Sequence, residues 1–273
     1  MPVIVISRDS YSRGSEIGRK AAEMLGYGCI SREILIEASE VFNIPEIKLI
    51  RAIQDAPSIL DRFGHGKARY IAYIRTALMR YVQKDNIVYH GLAGHFFLQN
   101  IPHILKVRVI EDIERRVLEE MNRHGISAEE ARNALKKDDD ERRKWGIALY
   151  GKDTWDAALY DLVLHIKTLT IDDAAAVIAK TATCSSFQTT PDSQRLLDDL
   201  VLASQVESVL VHEYPKMDVK AKDGDVHIQI ITGFPPLTTS KKEEIARRVE
   251  EIAVNLGGAH KVRVTLSHSL SNE

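Results

Sequence analysis

Between the first apolar run and the first helix lies a polar turn, where a phosphate-binding loop would sit. Ser7, Arg8 and Asp9 end an apolar run, and Ser12, Arg13, Gly14, Ser15 and Glu16 lead into a helical pattern that continues through Lys20 and Met24. A Walker loop, G-x-x-x-x-G-K-[ST], turns consecutive backbone N–H groups toward phosphates, neutralises them with its lysine and holds Mg²⁺ with its hydroxyl. Laid on the G-S-G-K-S core of such a loop, Tyr11 stands at the first glycine, Arg13 at the second and Gly14 at the lysine; only Ser15 keeps its type. Arg13 could supply the missing charge. An ordinary strand-to-helix turn has the same appearance, so this stretch taken alone leaves both readings open.

Other residues with chemical potential are scattered. Asp138, Asp139 and Asp140 run into Glu141, Arg142 and Arg143, which reads as a solvated helix end in preference to a metal cluster. His90, His95 and His103 flank a glycine-containing loop without the spacing of a common ligand set, so they read as loop or cap histidines. Trp145, Tyr150 and Trp155 read as packing anchors, and Cys29 beside Ile30 as a core residue.

The elements that must position these groups alternate. The apolar run Val3 to Ile6 is of buried-strand type, as are Asn86 to Gly91, Ile104 to Ile110 and Tyr160 to Ile166. Between them lie helical patterns over 34–38, 46–53, 67–83 and 112–124, with a loop over 55–66. Ser127 followed by Glu130 is a capping box that opens a further helix. Another helix starts at Ile171 and ends near Ala182. Strands alternating with helices predict a parallel α/β sheet with flanking helices.

A Ser/Thr-rich stretch over 183–191 then reads as a linker between a domain over 1–182 and one over 192–268. The second shows a helix over 192–207, a strand over 218–221, the hairpin turn Asp223-Gly224, a strand over 226–232, a helix over 240–255 and a strand over 261–267. That order is a small αββαβ unit, a sheet with two helices on one face.

Composition narrows the classes. The 273 residues, 30.7 kDa, carry a formal charge of −2, so no global basic field points to nucleic acid or an anionic membrane. The two cysteines, Cys29 and Cys184, lack metal or disulfide-framework spacing, which suits a reducing compartment. With no leader pattern and no apolar run of transmembrane length, the expectation is a cytoplasmic protein without a transmembrane segment.

In segment order the sequence resembles the cytidylate kinase-like family, a branch of the nucleoside monophosphate kinases of P-loop fold. The resemblance covers roughly residues 1–180. It is carried by Ile6-Ser7-Arg8 followed by Ser12 to Ile17, by Arg32-Glu33-Ile34-Leu35, and by Val107-Arg108-Val109 ahead of Glu114-Arg115-Arg116. Asp139-Asp140-Glu141-Arg142, Gly151 to Trp155 and Tyr160 to Leu164 complete it. The resemblance implies a P-loop NTPase-type sheet and nucleotides as partners, with ATP and magnesium as cofactors and CMP or dCMP as acceptor. It implies that Ser12, Arg13, Gly14, Ser15 and Glu16 cradle the donor phosphates, with Ser15 on the metal. Arg32 would lie near the acceptor, and Arg142 with Arg143 would belong to a lid over the transferring group. Ser31, Leu92 and His165 depart from the family pattern, as does the loop interior at Tyr11 and Arg13. Three functional readings therefore stand: a kinase, a catalytically impaired nucleotide-binding regulator that signals through its second domain, and a structural interaction protein that binds no nucleotide.

The second domain resembles a BON domain, on Asp223-Gly224-Asp225-Val226, an apolar strand ending at Gly233, a helix and a Val-rich strand. Between residues 188 and 273 there are ten Lys/Arg against thirteen Asp/Glu, so a protein or small-ligand partner is expected there in preference to nucleic acid or lipid.

Overall fold

Val3, Ile4, Val5 and Ile6 are buried on both faces of a strand, as a short β-branched run in the middle of a parallel sheet must be. The computed structural model describes residues 2–9, 13–31, 33–44, 48–49, 66–91, 93–233 and 237–268. Tyr11, Ser12, Arg32 and Leu92 lie outside them, as does most of the expected helix over 46–53 and loop over 55–66. Among the described residues the chain divides into two compact units. One draws on Met1–Arg62 and Lys84–Thr190, the other on Phe63–Gln83 and Pro191–Glu273.

The first unit is a five-stranded, all-parallel sheet: β1 (Val3–Arg8), β2 (Gly28–Ile30), β3 (Ile87–Tyr89), β4 (Ile104–Glu111) and β5 (Leu162–Ile166), in the order β2-β3-β1-β4-β5. This is a P-loop-type arrangement, with β1 central. Helix α1 (Gly14–Leu25) follows β1 and buries Ile17, Ala21 and Ala22 against the sheet core. Helix α2 (Glu33–Phe42) follows β2. Strand β2 escapes sequence reading because three residues carry no measurable alternation.

Helix α3 (Gly66–Val82) clusters with the second unit. Numbering continues with α4 (Gly94–Phe97), α5 (Ile113–His124) and α6 (Ala128–Tyr150). The expected capping box opens α6. Ser127 Oγ accepts the Glu130 N–H at 3.2 Å, and the Glu130 carboxylate accepts the Ser127 N–H at 2.9 Å. Helix α6 does not end at the acidic run: it passes unbroken through Asp138–Arg143 to a left-handed C-cap at Gly151. Helix α7 (Ile171–Ala182) closes the sheet's flank, opened by an equivalent Thr170/Asp173 box.

The second unit contains α8 (Pro191–Leu210), β6 (Met217–Lys222), β7 (Asp225–Thr232), α9 (Thr239–Asn255) and β8 (Lys261–His268), the expected αββαβ order. Strands β6 and β7 pair antiparallel through Asp223-Gly224, and β7 and β8 pair parallel. Both turn residues have positive φ, 51° and 80°, as a two-residue primed hairpin turn demands. Val226, Ile228 and Ile230 alternate inward onto Leu202, Val206, Val249 and Ala253, so both helices cover one sheet face. In the same unit α3 joins α8, with Thr76 Oγ1 donating to the Ser204 carbonyl at 2.9 Å.

Candidate active site

Parallel strands deliver their last residues to one edge, and there β1 and β4 set a buried charge lattice. Register places Ser7 opposite Arg108 and Arg8 opposite Val109. Arg108 Nη1 donates to Ser7 Oγ at 3.2 Å, and Nη2 is ion-paired with the Asp9 carboxylate. The other Asp9 oxygen accepts the Glu111 N–H at 3.3 Å. Burial raises the Asp9 pKa, against the opposing pull of Arg108 and Arg116. Tyr160 joins this lattice, its hydroxyl donating to the Thr154 carbonyl at 2.9 Å and lying 3.2 Å from Ser7 Oγ.

Helix α1 begins beside the lattice. Gly14 is buried in its first turn, Ser15 half-buried and Glu16 exposed. The Arg13 N–H, at the start of α1, donates to Glu111 at 3.3 Å. The Arg13 guanidinium is held by Glu119 on α5, at 2.9 Å from Nε and 2.7 Å from Nη2. The Glu111 side chain is fully buried, and burial raises its pKa.

Arg142 and Arg143 are neighbours on α6, so their side chains leave the helix about 100° apart. Arg142 Nη1 donates to the Arg8 carbonyl at 3.0 Å, at the end of β1. Burial lowers its pKa, while Asp139 and Asp138 oppose the shift. Arg143 turns instead to Asp153, with Nε 3.1 Å from both carboxylate oxygens, and its guanidinium carbon lies 4.2 Å from the Trp155 ring centroid. The structure thus brings Arg142, and not Arg143, to the strand edge beside α1.

Two expectations need correction here. Asp139 is not solvated: it is buried, and both Arg116 Nη atoms donate to one of its oxygens at 2.9 Å. Helical period explains this, since Asp139 follows buried Leu135 and Ala131 at four-residue intervals on the inner face of α6. Trp155 is about half exposed beneath Arg143, and so is not the packing anchor expected of it; Trp145 is buried and packs with Phe96 and Tyr150.

Against the lattice opens a cavity of about 670 Å³. Arg108, Arg116 and Lys136 contribute cationic groups to its wall, Asp9, Glu111 and Asp139 acidic ones, and Trp155 and Val163 apolar surface. Sequence reading did not single out Asp9, Glu111 or Lys136 as site residues. The available signal was charge inside an otherwise apolar strand, as at Glu111, which alternation places in phase with buried Leu105, Val107 and Val109.

Among the described residues no group of three or more His, Cys, Asp or Glu side chains could hold a metal. Magnesium in nucleotide sites takes one or two protein oxygens and completes its shell with phosphates and water, so the Ser15 hydroxyl in the first turn of α1 suits it. Bound there, Mg²⁺ would screen phosphate charge.

His95 on α4 is buried, its ring centroid 4.0 Å from that of Phe96 and 5.1 Å from that of Tyr160. Among the described residues neither ring nitrogen has a hydrogen-bond partner. Burial, with Arg108 and Lys106 adding, lowers its pKa to about 3. The ordinary value being near 6.5, the unfolded chain takes up this proton first, so the contribution is intact above about pH 6.5 and is lost as pH falls toward 3. Between pH 6.5 and 5 the wild type should lose about 2 kcal/mol through this group. A His95→Leu variant should lack that component. Denaturant titrations followed by tryptophan fluorescence check it, since Trp145 and Trp155 both lie in the first unit.

The model of the cytidylate kinase-like family matches residues 3–168. Among solved structures, an uncharacterized protein from Eubacterium ventriosum is 20% identical with a TM-score of 0.50, covering 66% of this chain and 97% of its own. TT1252 from Thermus thermophilus is 19% identical, with a TM-score of 0.44 and coverage of 67% and 98%. Shikimate kinase from Bacteroides thetaiotaomicron is 11% identical, with a TM-score of 0.43 and coverage of 67% and 99%. No curated protein matches. Among the described residues no helix is long and apolar enough to cross a membrane. With the family match spanning the whole parallel sheet, and the lattice lying at the carboxyl edge of that sheet, the chain belongs to the cytidylate kinase-like family.

Proposed function

We propose that this protein transfers the γ-phosphoryl group of ATP, with Mg²⁺, to a nucleoside monophosphate, CMP or dCMP by family likeness. The observation that carries this reading is the set of cationic groups at the carboxyl edge of the sheet, Arg108, Arg116 and Lys136 in the cavity wall and Arg142 at the end of β1. Phosphoryl transfer asks little covalent chemistry of a protein. It asks for positioning and for fixed positive charge around the moving group.

In this reading Ser12, Arg13, Gly14, Ser15 and Glu16 form the donor loop, with Ser15 on the metal, and Arg32 meets the acceptor phosphate. Arg142 and Arg143 belong to the segment that closes over the transferring group. A panel of ribo- and deoxyribonucleoside monophosphates with ATP and Mg²⁺ tests it: product from CMP or dCMP supports the kinase, and silence across the panel overturns it.

A second reading has its own support. Glu111 holds the Arg13 N–H, and no lysine stands at position 14, so a carboxylate already occupies part of the loop a phosphate would need. A nucleotide-binding regulator without turnover fits that arrangement. ATP would then raise the melting temperature while the panel stays silent. For the second unit, a BON-like module over 192–268, we propose a protein or small-ligand partner and no nucleic acid.

A further inference from the structure

Trp155 is a large aromatic side chain left about half exposed, yet the turn that carries it is firmly held. That turn lies against α6 at Gly146, where a Cβ would stand 2.9 Å from the Lys152 carbonyl oxygen and 3.0 Å from Cγ2 of Thr154. Thr154 is buried, and its carbonyl accepts the Tyr160 hydroxyl. Asp153 ties the ring to the guanidinium above it. Its Oδ1 accepts the Trp155 N–H at 3.0 Å, and the same carboxylate accepts Arg143 Nε at 3.1 Å while that guanidinium stacks on the indole. An exposed indole positioned by this many contacts is a built platform.

Its uncovered surface belongs to the cavity. Arg143 covers one face of the ring, and Trp155 itself lines the cavity, so the surface it turns there is the part that Arg143 leaves bare. One face of the sheet supplies another wall. Register sets Arg108 beside Val163 and Ile110 beside His165, and alternation turns all four away from the side where Val109, Leu164 and Ile166 join the core. Val163, 41% exposed, and Ile110 make that wall aliphatic. His165 Nε2 and Asp112 Oδ1, 2.9 Å apart, add polar groups.

We infer that Trp155 is the platform on which this cavity takes the base of a nucleotide, with Arg143 backing the ring from its far side. The inference rests on the reading of the site as a nucleotide site, and it names the part of the ligand that the apolar wall receives. An aromatic wall, an aliphatic wall and polar groups beside them suit a flat heteroaromatic ring, while Arg108, Arg116 and Lys136 in the same cavity suit the phosphate attached to it. The cavity's volume of about 670 Å³ falls within the roughly 300–1,000 Å³ of small-molecule sites. Stacking on an aromatic ring tolerates any base, so this subsite supplies affinity more than choice of base.

The test is calorimetric titration of the full chain, in Mg²⁺, with ATP and its base-free counterpart tripolyphosphate, and with CMP and its base-free counterpart ribose 5-phosphate. Wild type should bind at least one of the two nucleotides, and more tightly than its counterpart. For that nucleotide Trp155→Ala should weaken binding roughly tenfold while the base-free counterpart moves by less than about twofold. Trp155→Phe, which keeps a ring, should lose less. Whether ATP or CMP responds tells whether donor or acceptor brings the base. The same nucleotide should quench tryptophan emission in wild type and not in Trp155→Phe, whose remaining tryptophan, Trp145, is buried. Should Trp155→Ala fail to fold, Trp155→Phe decides together with Val163→Gln, which fills the aliphatic wall without adding charge and should weaken the nucleotide alone. Unchanged affinity for both nucleotides in Trp155→Ala, or in Trp155→Phe and Val163→Gln together, would overturn the inference alone. So would equal losses for a nucleotide and its base-free counterpart, the mark of a merely structural Trp155, or quenching that persists in Trp155→Phe. A wild type that binds neither nucleotide would overturn the nucleotide reading and the inference with it.

Discussion

Arg142→Ala is expected to lower kcat for phosphoryl transfer by roughly a thousandfold, within the range that a single arginine supplies to a transferring phosphoryl group, while the ATP dissociation constant moves by less than about threefold. The expectation follows from where Arg142 ends. Its guanidinium is drawn out of water to the carbonyl of Arg8, at the tip of the strand that leads into the proposed phosphate loop. Charge held in a poorly solvated site acts strongly on a developing negative charge and needs no rearrangement to do so. Arg142→Lys should recover only part of the rate, because an ammonium is a compact point charge without the reach and fixed planar fork that let a guanidinium span a carbonyl and a phosphate oxygen. A purely architectural Arg142 would give a different result: lowered melting temperature and unchanged kcat per folded molecule.

Arg143 is the natural control. It is adjacent in sequence, yet its charge is satisfied by Asp153 and spread over Trp155. The sequence motif joins the two arginines as a lid pair, whereas helix geometry separates them. Any closing motion that recruits Arg143 must first break that pairing.

The elements that depend on local pattern were legible in the sequence. The capping box at Ser127, the hairpin turn at Asp223-Gly224 and the buried run of β1 are all set by neighbours within a few residues. Segment order was enough to reach the family. What stayed hidden depends on partners about a hundred residues away: Asp9 with Arg108, Glu111 with the Arg13 amide, and Arg8 under Arg142. No spacing rule reports such pairs. The acidic run at 138–140 misled for a different reason, since three consecutive aspartates on a helix must point three ways. One of them, Asp139, faces inward even though its neighbours make the stretch look uniformly wet. Likewise, no local signal in α3 tells that it clusters with the unit built from the other end of the chain.

That inward aspartate sets the largest expected effect on stability. Asp139 and Arg116 are both buried, and two hydrogen bonds of 2.9 Å join them between α6 and α5. Removing one partner leaves a desolvated charge short of its counter-charge, which typically costs about 3–5 kcal/mol, whereas replacing both with apolar groups of similar volume is often close to neutral. Asp139→Ala should therefore destabilise the first unit by about 3 kcal/mol or more, read from tryptophan fluorescence in denaturant. The Arg116→Met/Asp139→Leu protein should regain most of that loss. Its activity should not return, because Arg116 also lines the cavity in which phosphate charge is proposed to be neutralised. A double variant that is both stable and fully active would remove Arg116 from the site and leave the pair as architecture alone. A double variant as unstable as Asp139→Ala would mean that the cost lies in lost packing and not in the stranded charge.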